Sequence, residues 1–136
     1  MSVGTLGEIR EALGDAVKTI NGMRAAEHMP EQINPPMVVI QLDRLDFHGA
    51  MQGGLRTFQF LLIAIVGRMG ERVSQDLLDR VTDFDGPDSI RQVVEADPTL
   101  GGACWACKVT GARAVRPINI GDAAYLGVEF EVEVQA

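Results

Sequence analysis

The hydrophobic positions of this chain change period several times, and each change marks an element. Near the C-terminus, Leu126, Val128, Phe130, Val132 and Val134 alternate with Gly127, Glu129, Glu131 and Glu133. Side chains of a strand point to opposite faces with period two, so this spacing predicts a half-buried antiparallel strand with an acidic outer face. The acidic row has two readings. It is a solvated face of the kind antiparallel sheets commonly present to water, or it lines a channel or a subunit boundary in an assembly.

The N-terminal segment has the other period. Leu6, Ile9, Leu13, Val17 and Ile20 fall three or four apart, which predicts a helix over residues 5–20 with one apolar stripe. Thr5 and Glu8 stand at capping-box spacing in front of it, and Asn21-Gly22 ends it. A short edge strand of mixed polarity is expected over 23–28. Asn34-Pro35-Pro36 holds the next stretch extended, ahead of a β-branched strand over 37–43. The segment 44–54 holds Gly49, Gly53 and Gly54 among mixed residues and reads as a long mobile hairpin tip. A long strand over 55–68 follows, and from Phe60 to Val66 all its residues are apolar. A strand apolar on both faces needs cover on both. The chain's own helices supply one cover, and a neighbouring subunit or a further helix the other.

A second helix is expected over 71–84, with Val73, Leu77, Val81 and Phe84 on one face and Glu71 at its positive end. Arg72 with Asp76, and Asp76 with Arg80, are spaced to pair along it. Asp85-Gly86-Pro87-Asp88-Ser89 turns into a short third helix capped by Asp88 or Ser89, buried through Ile90, Val93 and Val94, and ended by Asp97-Pro98. Strands over 103–115 and 118–134 complete the chain. They join near Arg116-Pro117, and the second is open to interruption at Gly121-Asp122. The order α-β-β-β-α-α-β-β argues for an α+β domain, a mostly antiparallel sheet with helices packed on one face.

Length and charge narrow the function. The 136 residues suit one domain, since domains most often run to roughly 100–150. A formal charge of −7 without any Lys/Arg run lacks the basic footprint that phosphate binding requires. The longest apolar run, Phe60 to Val66, is far short of the roughly 20 residues that span a bilayer. Met1 to Gly7 carries no basic side chain and does not resemble a signal peptide, which points to a cytosol-like compartment.

Candidate chemistry is sparse. Cys104 and Cys107 have C-x-x-C spacing, but their segment reads as a strand, where an offset of three puts the sulfurs on opposite faces. Zinc would need further ligands, and His28 and His48 are not spaced as a ligand pair, so the pair reads as two structural thiols. Asp83, Asp85 and Asp88 suggest a calcium loop but lack the glutamate that completes one, and Gly86-Pro87 fits a turn. His48 has no nucleophile or carboxylate at motif spacing. No catalytic, metal or cofactor site is expected. The residues expected to touch a partner are Arg44, Asp46, His48 and Met51 of the 44–54 segment, with Glu129, Glu131 and Glu133 on the acidic face.

Several segments together resemble the tail terminator, or tail completion, proteins of long-tailed bacteriophages of actinobacteria. They are Leu6-Gly-Glu-Ile-Arg-Glu-Ala-Leu13, Asn34-Pro-Pro36 before an apolar strand, Gly86-Pro-Asp-Ser-Ile90, Thr99-Leu-Gly-Gly102, Val109-Thr-Gly-Ala-Arg113 and Tyr125-Leu-Gly-Val-Glu-Phe-Glu-Val132. The resemblance covers nearly the whole chain, and Cys104-Trp-Ala-Cys107 is unusual for such a chain. It implies a structural virion protein, assembled in the host cytoplasm, that forms a ring of typically six copies. The ring would cap the tail tube and join it to the head-tail connector or stopper protein, with the tape-measure protein a further possible neighbour. Genomic DNA would pass through without specific binding, and an acidic channel at −7 per copy would repel its phosphates. Another neck component, such as a head-closure protein, is the alternative of the same class. A small cytosolic thiol-dependent enzyme using Cys104 and Cys107 is the alternative of a different class.

Overall fold

The computed structural model describes residues 5–27, 34–47, 56–113, 116–120 and 123–136. Helix α1 (Leu6–Lys18) leads into strand β1 (Arg24–Ala26), and β2 (Met37–Asp46) and β3 (Thr57–Arg68) follow. Helices α2 (Arg72–Thr82) and α3 (Ile90–Glu95) and a single 3-10 turn (Leu100–Gly102) then precede β4 (Ala106–Ala112), β5 (Arg116–Ile120) and β6 (Ala123–Gln135). The architecture is α+β. One open sheet has the order β1-β2-β3-β6-β4, and β5 joins the same edge of β6 as β4. Among the described residues only the β1–β2 pair is parallel.

The helix caps follow the local chemistry. Thr5 Oγ1 accepts from the Glu8 backbone N–H at 3.2 Å, and its hydroxyl reaches Glu8 Oε1 at 3.3 Å. Ser89, rather than Asp88, caps α3 by accepting from Gln92 N–H at 3.3 Å, while Asp88 turns back to Arg80. That contact at 3.1 Å draws Arg80 away from the Asp76 pairing its helical spacing suggests.

The main core lies between the helices and one sheet face. Ile9, Leu13, Val17 and Ile20 from the first helical segment meet Val38, Ile40, Phe58, Phe60, Leu62, Val128, Phe130 and Val132. Each such side chain taken fully out of water contributes about 1.5–3 kcal/mol, so this stripe fixes where α1 sits. The alternation in β6 appears as expected: Phe130, Val132 and Val134 are buried, and Glu129, Glu131 and Glu133 are half-buried on the other side.

Four expectations change. First, β2 does not stop at Asp43. A bulge between Leu42 and Arg44 shifts the register, returns Leu45 to the core side and carries the strand to Asp46. Arg44 and Asp46 are therefore strand residues, and His48 and Met51 lie outside the described residues. Second, β3 needs no neighbouring subunit to cover the outer side of its Ile63–Ile65 end. Ile63 and Ile65 form a second buried cluster with Met37 and Val39, against which Ala26 and Tyr125 pack. Third, Arg116-Pro117 is not a join but the start of β5, and the strand expected over 118–134 divides into β5 and β6, with Ile120 facing Ala123 in the ladder, in line with the interruption expected at Gly121-Asp122. Fourth, α2 buries Ser74, Leu78 and Val81, leaving Val73 75% exposed and Phe84, beyond the helix end, 68% exposed. Gly67 gives the reason. A Cβ there would overlap the Ser74 side chain, so the bare glycine lets α2 seat on β3 through Ser74.

Candidate interaction surface

The outer sheet face gathers most of the residues marked in the sequence. Arg44 pairs with Gln59, Gln59 with Glu133, and Glu133 with Lys108, so these four form one row across β2, β3, β6 and β4. Asp46, Thr57, Gln135 and Ala106 form the next row. Partners in a ladder share a face, so Arg44 and Asp46 stand on the same surface as the glutamates, with Arg44 two strands from Glu133, about 10 Å. The bulge makes this possible, since without it their parity would be reversed.

The glutamates are not a bare row of like charge. Arg113 Nε meets Glu131 Oε1 at 2.8 Å, and Lys108 Nζ meets Glu133 Oε2 at 3.7 Å. Both cations stand at the β4 side of the sheet, so Glu131 and Glu133 are partly neutralised within the chain, and the Arg113 charge acts on Glu129 as well. Further along the face, Val39 and Ile63 continue it into the apolar outer cluster. The face therefore grades from charged and partly exposed at the Arg44 end to apolar and buried at the Met37 end.

A second surface surrounds the loop after α2. Arg91 holds it together: Nε donates to Phe84 O at 2.8 Å, Nη2 reaches Asp85 Oδ1 at 3.2 Å, and Nη1 reaches Glu95 Oε1 at 3.1 Å. Its guanidinium also lies 3.6 Å from the centre of the Phe84 ring. Ser89 Oγ adds bonds to Asp83 O and Phe84 O. Asp85 and Asp88 are each committed to an arginine, so the aspartates suggestive of a calcium loop serve a turn. The result is an exposed aromatic ring on a stiff support. Aromatic and arginine side chains dominate interface energetics, and this ring has the chemistry of such an anchor.

The cysteines lie on one side, not on opposite faces. Cys104 precedes β4, so strand alternation does not govern it, and both thiols enter the main core. Cys104 Sγ donates to Pro98 O at 3.5 Å and Cys107 Sγ to Val94 O at 3.8 Å, tying the start of β4 to α3 and the turn after it. Burial pushes the Cys104 thiol up and the Cys107 thiol up to about 12, with the neighbouring Cys104 and Glu95 adding to the latter. A redox or nucleophilic cysteine needs the thiolate, and this environment opposes it. Asp97 shapes the same turn, accepting from Thr99 N, Thr99 Oγ1 and Gly101 N at 2.8–3.2 Å, which holds its carboxyl below the usual range.

The sequence reading missed the Arg91 cluster and the exposure of Val73 and Phe84. The spacing of Phe84, Arg91 and Glu95 carries no motif, because their meeting depends on a loop that folds back on α3.

Among the described residues, no helix is long and apolar enough to cross a membrane. Compared with known proteins, the chain matches no family model and no curated protein sequence.

Proposed function

We propose that this chain is a structural protein of a phage virion that self-associates into a ring, capping the tail tube and joining it to the head-tail connector. The observation that carries the reading is the set of apolar side chains left outside along α2. Met69 and Val73 at its entry and Phe84 past its exit are exposed, while Leu77 between them is half-buried. A helix that already buries a full stripe and still presents apolar groups at both ends has area to give to a partner. The segments that carry the resemblance fall on joints of the fold: the face of α1, the lead into β2, the cap of α3, the 3-10 turn, the bulged end of β4, and β6. Such positions specify a scaffold, in keeping with a protein that builds rather than turns over.

In this reading a head-to-tail contact repeats around a closed ring. The tail tube protein and the connector or stopper protein meet its two rims, and DNA slides through the centre. Two measurements test it. Negative-stain imaging and light scattering of the purified protein should give a ring with a central hole. Replacing Val73 and Phe84 together by Asp should leave a folded protein that assembles poorly, because both positions are exposed and contribute little to stability. Virus particles labelled for this protein should carry it at the head end of the tail. Particles without it there overturn the proposal, and label on the connector side alone assigns the chain to a head-closure role.

A further inference from the structure

β4 and β1 are the two ends of the open sheet. Val109 stands opposite Val132, yet its N–H does not go to β6: it donates to Glu95 Oε2 at 3.0 Å. In an antiparallel ladder both main-chain groups of such a residue face the same way, so Val109 presents its N–H and C=O to the open edge. By the same alternation Cys107 does so two residues earlier. Glu95 is steadied by Arg91, which is itself fixed on Phe84 and Asp85. A carboxylate oxygen thus occupies the position where the carbonyl of a neighbouring strand would sit. Beside it opens a cavity of about 260 Å³, with Phe84, Arg91, Val109, Gly111 and Phe130 among its walls.

We infer that the β4 edge receives the β1 edge of a second copy of this chain, with Glu95 swinging aside to release the Val109 N–H, so that the sheet continues from copy to copy. The choice of a second copy rests on the ring reading above; the state of the edge does not. Two unlike edges at opposite ends of one sheet form a heterologous contact, which repeats and can close. One opposite-charge contact is available to this pairing. Lys108, exposed on β4 and loosely held by Glu133 at 3.7 Å, would exchange that partner for the Glu27 exposed just after β1 of the next copy. Arg24, the cation of β1, keeps its charge while donating to Asn34 O and Pro35 O at 3.0 and 3.4 Å, so the complementarity is local to Lys108 and Glu27 and is not a net charge of the two edges. Trp105 and Phe84, both more than half exposed, flank the β4 edge and supply apolar area that strand pairing alone lacks. The Glu95 side chain acts as the guard that natural sheets place on an open edge.

Three proteins are compared by light scattering and negative stain: the wild type, Glu95→Ala and Val109→Pro. Glu95→Ala no longer has to break its own bond before pairing and should associate several-fold more tightly, up to about tenfold. Val109→Pro removes the edge donor where proline is tolerated and should abolish association while keeping its circular dichroism. Because a proline variant can fail to fold, carbodiimide cross-linking of mixed light- and heavy-isotope wild-type protein supplies an independent readout: a Lys108–Glu27 link between differently labelled copies. Unchanged assembly in both variants, or no such link in assembled wild type, overturns the inference and leaves the ring reading standing. Open fibres that carry the link support edge pairing and overturn the ring. Failure of both wild type and Glu95→Ala to associate at high micromolar concentration overturns both.

Discussion

Gly67→Ala is the sharpest test of how the helical layer is seated. Gly67 stands just past the β3 bulge, opposite Leu126. A methyl group there would lie 3.1 Å from Ser74 Cβ and overlap its Oγ. Ser74 is only 3% exposed, so its hydroxyl has no solvent to swing into, and either the serine is forced off its rotamer or α2 lifts from the sheet. Overpacking of this kind costs about 1–3 kcal/mol, and the overlap here belongs at the upper end. Relief of the glycine's own entropic cost in a strand returns roughly 0.5–1 kcal/mol. The expected net loss is about 2 kcal/mol, or roughly 6–10 °C in Tm for a chain of this size.

Urea and thermal unfolding followed by far-ultraviolet circular dichroism measure this loss directly. Ser74→Gly supplies the control, because it removes both atoms that the new methyl would strike and leaves only Ser74 Cα at 3.7 Å, an ordinary contact. In the Ser74→Gly background Gly67→Ala should therefore be neutral or mildly stabilising, giving a coupling of about 2 kcal/mol in the double-mutant cycle. Ser74→Ala should rescue only part, since its Cβ remains. A Gly67→Ala loss below about 0.5 kcal/mol, or an equal loss in all three backgrounds, would refute the account of why α2 turns Ser74 and not Val73 inward.

Two further outcomes follow from the core and the outer face. The fold favours the protonated Cys107 thiol, so its stabilisation is complete below the ordinary value of 9.0 and is lost as pH rises towards about 12. Stability should fall by up to about 1.4 kcal/mol per pH unit across that window from this thiol, and Cys107→Ala should flatten the curve; identical urea profiles of the two proteins at alkaline pH refute it. Replacing Glu129, Glu131 and Glu133 together by Gln removes the pairs with Arg113 and Lys108 but should cost little, because exposed pairs are each worth about 0.2–1 kcal/mol. If the face lines the channel, phage titre or DNA retention should change with the fold intact, and normal titre assigns the face to solvent.

The fold was legible where one period ran long enough to dominate. The stripe that runs from Leu6 in α1 to Ile20 just past it and the alternation of β6 each place five apolar residues on one side, and the structure buries four of the first five and all five in β6. Legibility failed at irregularities that a fixed period cannot express. The bulge between Leu42 and Arg44 lets a strand continue through a polar pair that reads as its end. On α2, Val73-Leu77 and Ser74-Leu78-Val81 are competing stripes, and apolarity alone favours the wrong one. The decision lies in β3, where Gly67 offers the one close approach that a serine can use. That is a long-range steric fact, carried by two small residues that a hydrophobic scale ranks low.

The same distinction explains how much of the candidate surface could be read in advance. Charge on the outer face follows from period two, so Glu129, Glu131 and Glu133 were placed from β6 alone. Their partial neutralisation was not, because Lys108 and Arg113 reach them from another strand across a bulge between Val109 and Gly111. The Arg91 cluster depends on still more: a helix cap at Ser89, a loop folded back on α3, and an edge donor at Val109 that α3 happens to face. Each of these is a local rule, yet the surface exists only where all three meet. A row of like side chains announces itself in a sequence, whereas a side chain standing in for an absent strand becomes visible only once the sheet is known to end there.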